Sequence, residues 1–172
     1  MKKQYKMMAI IGIVGIIIIG GFGIWFYLIN KPETPIDLIE PTWEIDDKGY
    51  VTNVVDGDTV DVDTQFHGSI RIRLADIDAP ELGDEPYYTG EATKLNNILY
   101  GSDYFVFIDI DDIFETDVYG RTVAVLYTYY YGDTDKIVNI NYYMINEPYT
   151  VIDDYYNEFN PYEWTLFVEP II

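Results

Sequence analysis

Cysteine is absent from the 172 residues, and histidine occurs once, as His67. No disulfide framework, thiolate nucleophile or sulfur-based zinc site can therefore be built, nor any mechanism that needs two imidazoles. A metal in this chain must be held mainly by oxygen, which favours hard cations such as calcium and magnesium. Basic residues are also scarce, with 10 Lys and Arg against 30 Asp and Glu for a formal net charge of -20. All 30 acids lie after position 30, opposed there only by Lys31, Lys48, Arg71, Arg73, Lys94, Arg121 and Lys136. That balance is adverse for meeting nucleic acid, because phosphate contacts from Lys and Arg normally supply most of the affinity.

What is present suffices for a folded domain. An apolar fraction of 49% and an aromatic fraction of 17% can build a core, so the acidity does not by itself imply disorder. The length allows one ordinary domain of roughly 100–150 residues plus an appendage.

The appendage is N-terminal. Met7 to Ile29 carry no charge, a run long enough at about 1.5 Å per residue to cross a hydrocarbon core of about 30 Å. Lys2, Lys3 and Lys6 precede it and favour the cytoplasmic side, while Trp25 and Tyr27 suit the far interface. The expected layout is a basic cytoplasmic tail (1–6), a transmembrane anchor (7–29), an extracytoplasmic linker (30–46) stiffened by Pro32, Pro35 and Pro41, a folded domain (47–165) and a C-terminal tail (166–172). A cleaved signal peptide is the alternative; the bulky Phe26-Tyr27-Leu28-Ile29 offers no small-residue cleavage site.

Within the domain, Gly49–Asp56, Thr59–Asp63 and Ser69–Asp76 are short Val- and Ile-rich segments separated by turn residues, as strands are. Val60 and Val62, and then Ile70, Ile72 and Leu74, alternate with polar residues, which predicts one buried face for each. Ala92, Leu95, Ile98 and Leu99 recur at helical spacing over Gly90–Tyr100, with Gly101 as a stop. Two more strands are expected at Tyr104–Ile110 and Arg121–Tyr129, then a Gly132-Asp133 turn and a short helix over Val138–Ile145. This α+β pattern, mainly β with interposed helices, suits a five-stranded OB-fold barrel.

Three clusters carry candidate chemistry. Val55-Asp56-Gly57-Asp58-Thr59-Val60 puts two carboxylates beside a strand around a glycine. Arg73-Leu74-Ala75-Asp76-Ile77-Asp78-Ala79-Pro80-Glu81 mixes one cation with three acids at a strand end, and Asp117-Val118-Tyr119-Gly120-Arg121 brings a second guanidinium. An acidic turn alone is usually a solvated hairpin, and an arginine among so many acids is as often a surface ion pair. His67 is expected to be a solvated loop residue, and Glu91 a structural carboxylate at a helix start.

The order DGDT, RLADIDAPE, GEA (Gly90 to Ala92) and YGR, followed by Val138-Asn139, resembles the staphylococcal-nuclease (thermonuclease) family over roughly residues 47–165. The resemblance implies a barrel of that family's type and a calcium-dependent enzyme that hydrolyses phosphodiester bonds of DNA or RNA. It implies Asp58, Asp78 and the backbone carbonyl of Ala79 as calcium ligands, Asp56 behind them, and Glu81 as the carboxylate that activates water. Arg73 and Arg121 would grip the scissile phosphate, and Tyr119 would contact the nucleotide. The implied products are a 3'-phosphate and a 5'-hydroxyl. Nucleic acid is then the substrate, the membrane a partner through the anchor, and no protein partner is implied. The competing reading is a catalytically weak surface module on the same barrel that binds calcium or a protein partner through its acidic face. The chain departs from the family after Ile145, where a basic helical region gives way to Asp153-Asp154-Tyr155-Tyr156 and Asn160-Pro161-Tyr162-Glu163-Trp164.

Overall fold

The computed structural model describes residues 44–81 and 83–169 of the chain. The expected tail, anchor and most of the linker lie outside the described residues, within which no helix is long and apolar enough to cross a membrane.

Three antiparallel strands open the domain: β1 (Asp47–Val54), β2 (Thr59–Thr64) and β3 (Ser69–Leu74). The expected alternation is met, with Val60, Val62, Ile72 and Leu74 buried while Asp63 and Arg71 are exposed. The third strand stops two residues earlier than expected because Asp76 turns into the left-handed region at φ 55°. Asp is among the few non-glycine types that enter this region readily. A two-residue strand β4 (Ile77–Asp78) leaves the turn.

Helix α1 (Tyr87–Tyr100) begins before Gly90, the expected start. Gly90 is a helical residue whose N–H bonds the Pro86 carbonyl at 3.3 Å, and the Tyr88 hydroxyl pins the first turn to the Val55 carbonyl at 2.9 Å. Strands β5 (Phe105–Ile110) and β6 (Thr122–Tyr130) pair antiparallel. The barrel then closes through a parallel seam in which Ile72, Arg73 and Leu74 face Thr122, Val123 and Ala124. The sheet order β3-β2-β1-β5-β6, with β3 returning to β6, is the expected five-stranded barrel.

One expectation needs correction. Val138 and Asn139 do not open a helix but end a strand, β7 (Asp133–Asn139), paired with the far half of β6. The helix α2 (Ile140–Ile145) starts after it, capped by the Asn139 side chain, which accepts from the Tyr142 N–H at 2.9 Å. Ile137 and Val138 also pair with Val168 and Phe167 of β9 (Phe167–Val168), so the sheet reaches into the stretch expected to be a tail; β8 (Val151–Ile152) pairs with β4.

The main core fills the barrel with Val60, Val62, Ile72, Leu74, Val106, Ile108, Ala124 and Leu126, and Leu95, Ile98 and Leu99 of α1 with Ile140 and Met144 of α2 join it. A second apolar cluster, built on Val123, Val125, Tyr127 and Ile137, packs against Ile45, Phe159, Trp164 and Val168. At the junction of seam and helix, buried Asn141 accepts from the Leu126 N–H at 3.1 Å and donates to the carbonyls of Ala75 (2.9 Å) and Ala124 (3.3 Å).

Candidate active site

The site grows from the turn between β1 and β2. Asp56 accepts the Asp58 N–H at 3.1 Å, an Asx turn that directs the Asp58 carboxylate inward, where it is 2% exposed. Gly57 is required here by crowding rather than by backbone angle. A Cβ at this position would lie 2.7 Å from the Ala79 Cβ and 2.8 Å from the Glu91 Cβ. The acidic turn is therefore pressed between the β4 exit and α1. Glu91 is buried as expected of a structural group, accepting from the Thr150 hydroxyl at 3.2 Å; burial pushes its carboxyl up, with the Thr150 bond opposing.

Asp58 is the hub. Its Oδ2 accepts the Ala79 N–H at 2.7 Å and meets Arg73 Nη1 at 3.1 Å, and its Oδ1 accepts from the Thr59 hydroxyl at 3.0 Å. Burial pushes the Asp58 carboxyl up to about 7, with Arg73 opposing the rise and Asp56 adding to it. Arg73, on the outer face of β3, is 11% exposed and spans two carboxylates, its Nη2 donating to Asp78 Oδ1 at 3.2 Å. Asp58 and Asp78, from turns 20 residues apart in sequence, are thereby gathered on one guanidinium.

The second guanidinium reaches the same hub. Asp117 folds its loop back by accepting the N–H groups of Tyr119 and Arg121, both at 2.9 Å, and its Oδ2 takes Arg121 Nε at 2.7 Å. Gly120 supplies the φ of 79° that this tight return needs. Burial opposes ionisation of Asp117, yet the hydrogen bonds from Arg121 and Tyr119 hold its carboxyl below the usual range. So oriented, Arg121 Nη1 approaches the Thr59 hydroxyl at 3.4 Å, linking it through Thr59 to Asp58. Tyr119 is 81% exposed, with its ring centroid 5.4 Å from the Arg121 guanidinium carbon.

Glu81 stands apart from this network. Its carboxylate makes no hydrogen bond among the described residues, and it lines an open pocket of about 540 Å³ together with Asp78, Ala79, Tyr87 and Tyr149. Asp56, Asp58, Arg73, Asp78, Ala79 and Arg121 are thus brought into one connected site, with Glu81 reaching it through the pocket shared with Asp78 and Tyr119 flanking Arg121. Sequence reasoning missed Thr59, the link between the two halves, and the orienting role of Asp117. Asp117 stands four residues before Arg121 across a glycine, a spacing that could have flagged it. Thr150, which meets Glu91 across 59 residues, carries no local signal.

His67 is not simply solvated: its Nδ1 lies 2.7 Å from Asp47 Oδ2 while half its side chain is exposed. It has no contact with the site and takes no part in it.

Among the described residues no group of three or more His, Asp or Glu side chains is spaced to hold a metal ion. The donor chemistry nonetheless fits a hard divalent cation. Two carboxylates from different turns already converge on one guanidinium, and that of Asp58 is almost wholly buried. Backbone oxygen and water would complete a six- to eight-oxygen shell.

A closed five-stranded barrel that gathers two arginines and a pair of carboxylates beside its seam defines an OB-fold protein. The family model described as staphylococcal nuclease homologue matches residues 71–168, and the chain belongs to that family. It is 36% identical over 109 residues to the micrococcal nuclease of Shigella flexneri, covering 62% of this chain and 58% of that protein. The chain thus spans less than two thirds of the relative it matches.

Proposed function

We propose that this chain is a calcium-dependent phosphodiesterase that cuts DNA or RNA outside the cytoplasm, held to the membrane through residues 7–29. The observation that carries the reading is the link from Arg73 through Asp58 and Thr59 to Arg121, which puts two guanidinium groups beside one carboxylate pair. Family membership and the likeness to a micrococcal nuclease support the same activity.

In this reading Asp58, Asp78 and the Ala79 carbonyl hold the ion, and Asp56 fixes the turn that presents Asp58. A bound calcium ion supplies Lewis-acid polarisation of a phosphoryl oxygen. Arg73 and Arg121 donate to the phosphate oxygens, where their planar forks match the geometry and meet the charge that develops at phosphorus. Asp117 keeps the Arg121 fork oriented before substrate arrives, so little reorganisation is needed at the moment of reaction. Glu81, exposed and uncommitted, takes the proton of the attacking water. Tyr119 offers a ring beside Arg121 for the nucleotide.

The test is cleavage of DNA and of RNA by the full-length chain, with calcium and with chelator, for wild type beside Arg121→Ala. Removing a donor that acts in the transition state typically costs about 10²–10³ in kcat, and a loss of that size with retained fold is expected. Cleavage indifferent to chelator, or to the loss of Arg121, would overturn the proposal.

A further inference from the structure

The open pocket of about 540 Å³ that Glu81 shares with Asp78 includes two aromatic residues that the proposed chemistry does not use. Tyr87, the first residue of α1, and Tyr149, just before β8, stand there with their ring centroids 4.4 Å apart. Each residue is close to half exposed, at 45% and 49%, although tyrosines that serve only to pack bury most of their area. The fold holds the pair in place. Buried Glu91 of α1 accepts from the Tyr149 N–H and from the Thr150 hydroxyl at 3.2 Å, and Val151 pairs with Asp78 across β4 and β8. The rings are thereby kept beside a carboxylate assigned to the ion.

The rest of the lining is hostile to a phosphate. Among the described residues it holds four carboxylates, Asp78, Glu81, Asp84 and Glu85, and no Lys, Arg or His. A second substrate phosphate placed there would meet like charge without a matching cation. A nucleobase would not. It is neutral and flat, its amino groups can donate to carboxylate oxygens, and it stacks on a tyrosine ring whatever its identity. The volume lies within the roughly 300–1,000 Å³ of small-molecule sites, enough for one nucleoside. Tyr119 stands with Arg121 and does not line this pocket, so the Tyr87–Tyr149 pair serves a different nucleoside. Asp84 and Glu85 are both exposed, and a strand continuing past the pocket would bring its next phosphate toward them.

We propose that this pocket is the subsite for the terminal nucleoside of a nucleic-acid strand, its base lying on Tyr87 and Tyr149 while Asp84 and Glu85 turn away any phosphate beyond it. The proposal rests on the nuclease reading and deepens it, because it states which part of the substrate lies beside Glu81. Cleavage is then directed to strand ends. An interior bond is reached only by forcing a further phosphate against the acidic rim.

The test compares cleavage by the full-length chain, with calcium, of a linear single-stranded DNA and of the same strand closed into a circle, which has no terminal nucleoside. The linear strand is expected to be cut at least tenfold faster. Tyr87→Ala and Tyr149→Ala should each raise KM for the linear strand about tenfold while kcat stays within about threefold, and Tyr149→Phe, which keeps the ring, should keep the wild-type KM. Asp84→Lys should speed cleavage of the circle at least threefold. Equal cutting of circle and linear strand, or KM unchanged in both alanine variants, would overturn this inference and leave the nuclease reading standing. Failure to cut either strand would overturn both.

Discussion

At the scale of single residues, the geometry around Gly57 gives the sharpest expectation. With its Cβ directed at side chains of both Ala79 and Glu91 at under 3 Å, Gly57→Ala must displace either the β4 exit or α1. Overpacking of this kind costs about 1–3 kcal/mol. Denaturant melts should show that loss, whereas Gly90→Ala, at a helical position where a Cβ meets open space, should be neutral or stabilising. Asp47 yields a pH expectation. Against the cost of its burial, hydrogen bonds from the His67 ring and from the N–H groups of Lys48 and Phe66 hold its carboxyl down to about 2. A depressed folded value means that its stabilisation is present above the ordinary 3.8 and is lost as pH falls through about 2. Stability measured across pH 2–5 should therefore fall less steeply in Asp47→Asn than in wild type. Asp56, Asp58, Arg73, Asp78 and Arg121, which the fold brings together, were legible as candidates because each sits in a short local motif. Thr59 and Asp117 were harder to see, since what they do depends on partners brought by the fold or by a tight loop.

Among the elements, alternation identified β2 and β3 and the 3.6-residue spacing found the body of α1, because each buries one continuous face. The mistaken helix over 138–139 has a physical cause. Asp133 to Lys136 are exposed and polar, so β7 shows no inward alternation, and its Ile137 and Val138 run straight into the apolar stretch of α2. Only the ladder with Tyr129 and Thr128 makes it a strand. The two-residue strands β4, β8 and β9 likewise owe their existence to partners distant in sequence. Asn141 joins the elements: its amide bonds the Leu126 N–H and the Ala124 carbonyl of β6 and the Ala75 carbonyl at the β3 exit. Asn141→Leu would fill the same space but take this partner from the Leu126 N–H and the Ala75 carbonyl, at about 1–3 kcal/mol for each group left without one, while the Ala124 carbonyl keeps the Ala75 N–H at 2.8 Å. A fall of many degrees in the thermal midpoint is expected, and a midpoint within a degree or two of wild type would show that α2 is not tied to the seam in this way.

For the whole molecule the governing property is charge. Among the described residues Arg71, Lys94 and Lys136 are engaged with Asp61, Glu147 and Asp133 on the surface, which leaves exposed Lys48 as the one cation outside an ion pair and no basic tract beyond the two site arginines. Binding through about two phosphate contacts has a salt slope near -2, and salt also screens the repulsion between an acidic surface and the substrate. The cleavage rate at low substrate should change by less than about tenfold between 50 and 200 mM salt. A drop of about 10³ or more, as a basic nucleic-acid binder shows, would refute this account of how so acidic a chain reaches its substrate. The barrel and its family were readable from motif order and strand pattern, but the packing of Phe159, Trp164 and Val168 against Val125, Tyr127 and Ile137 was not, because no periodicity connects those stretches.

The parallel seam has a further meaning. Arg73 lies opposite Val123 in it, and Arg121 is the residue that leads into Thr122, the first partner of Ile72. The two guanidinium groups are therefore neighbours only while residues 72–74 and 122–124 stay zipped. Nothing local can preassemble them, since some fifty residues separate the two edges. Under the proposed activity, competence for catalysis and completion of the barrel become one event, so a chain that had collapsed and formed its hairpins and helices with this last edge still unstitched would be well structured and inert.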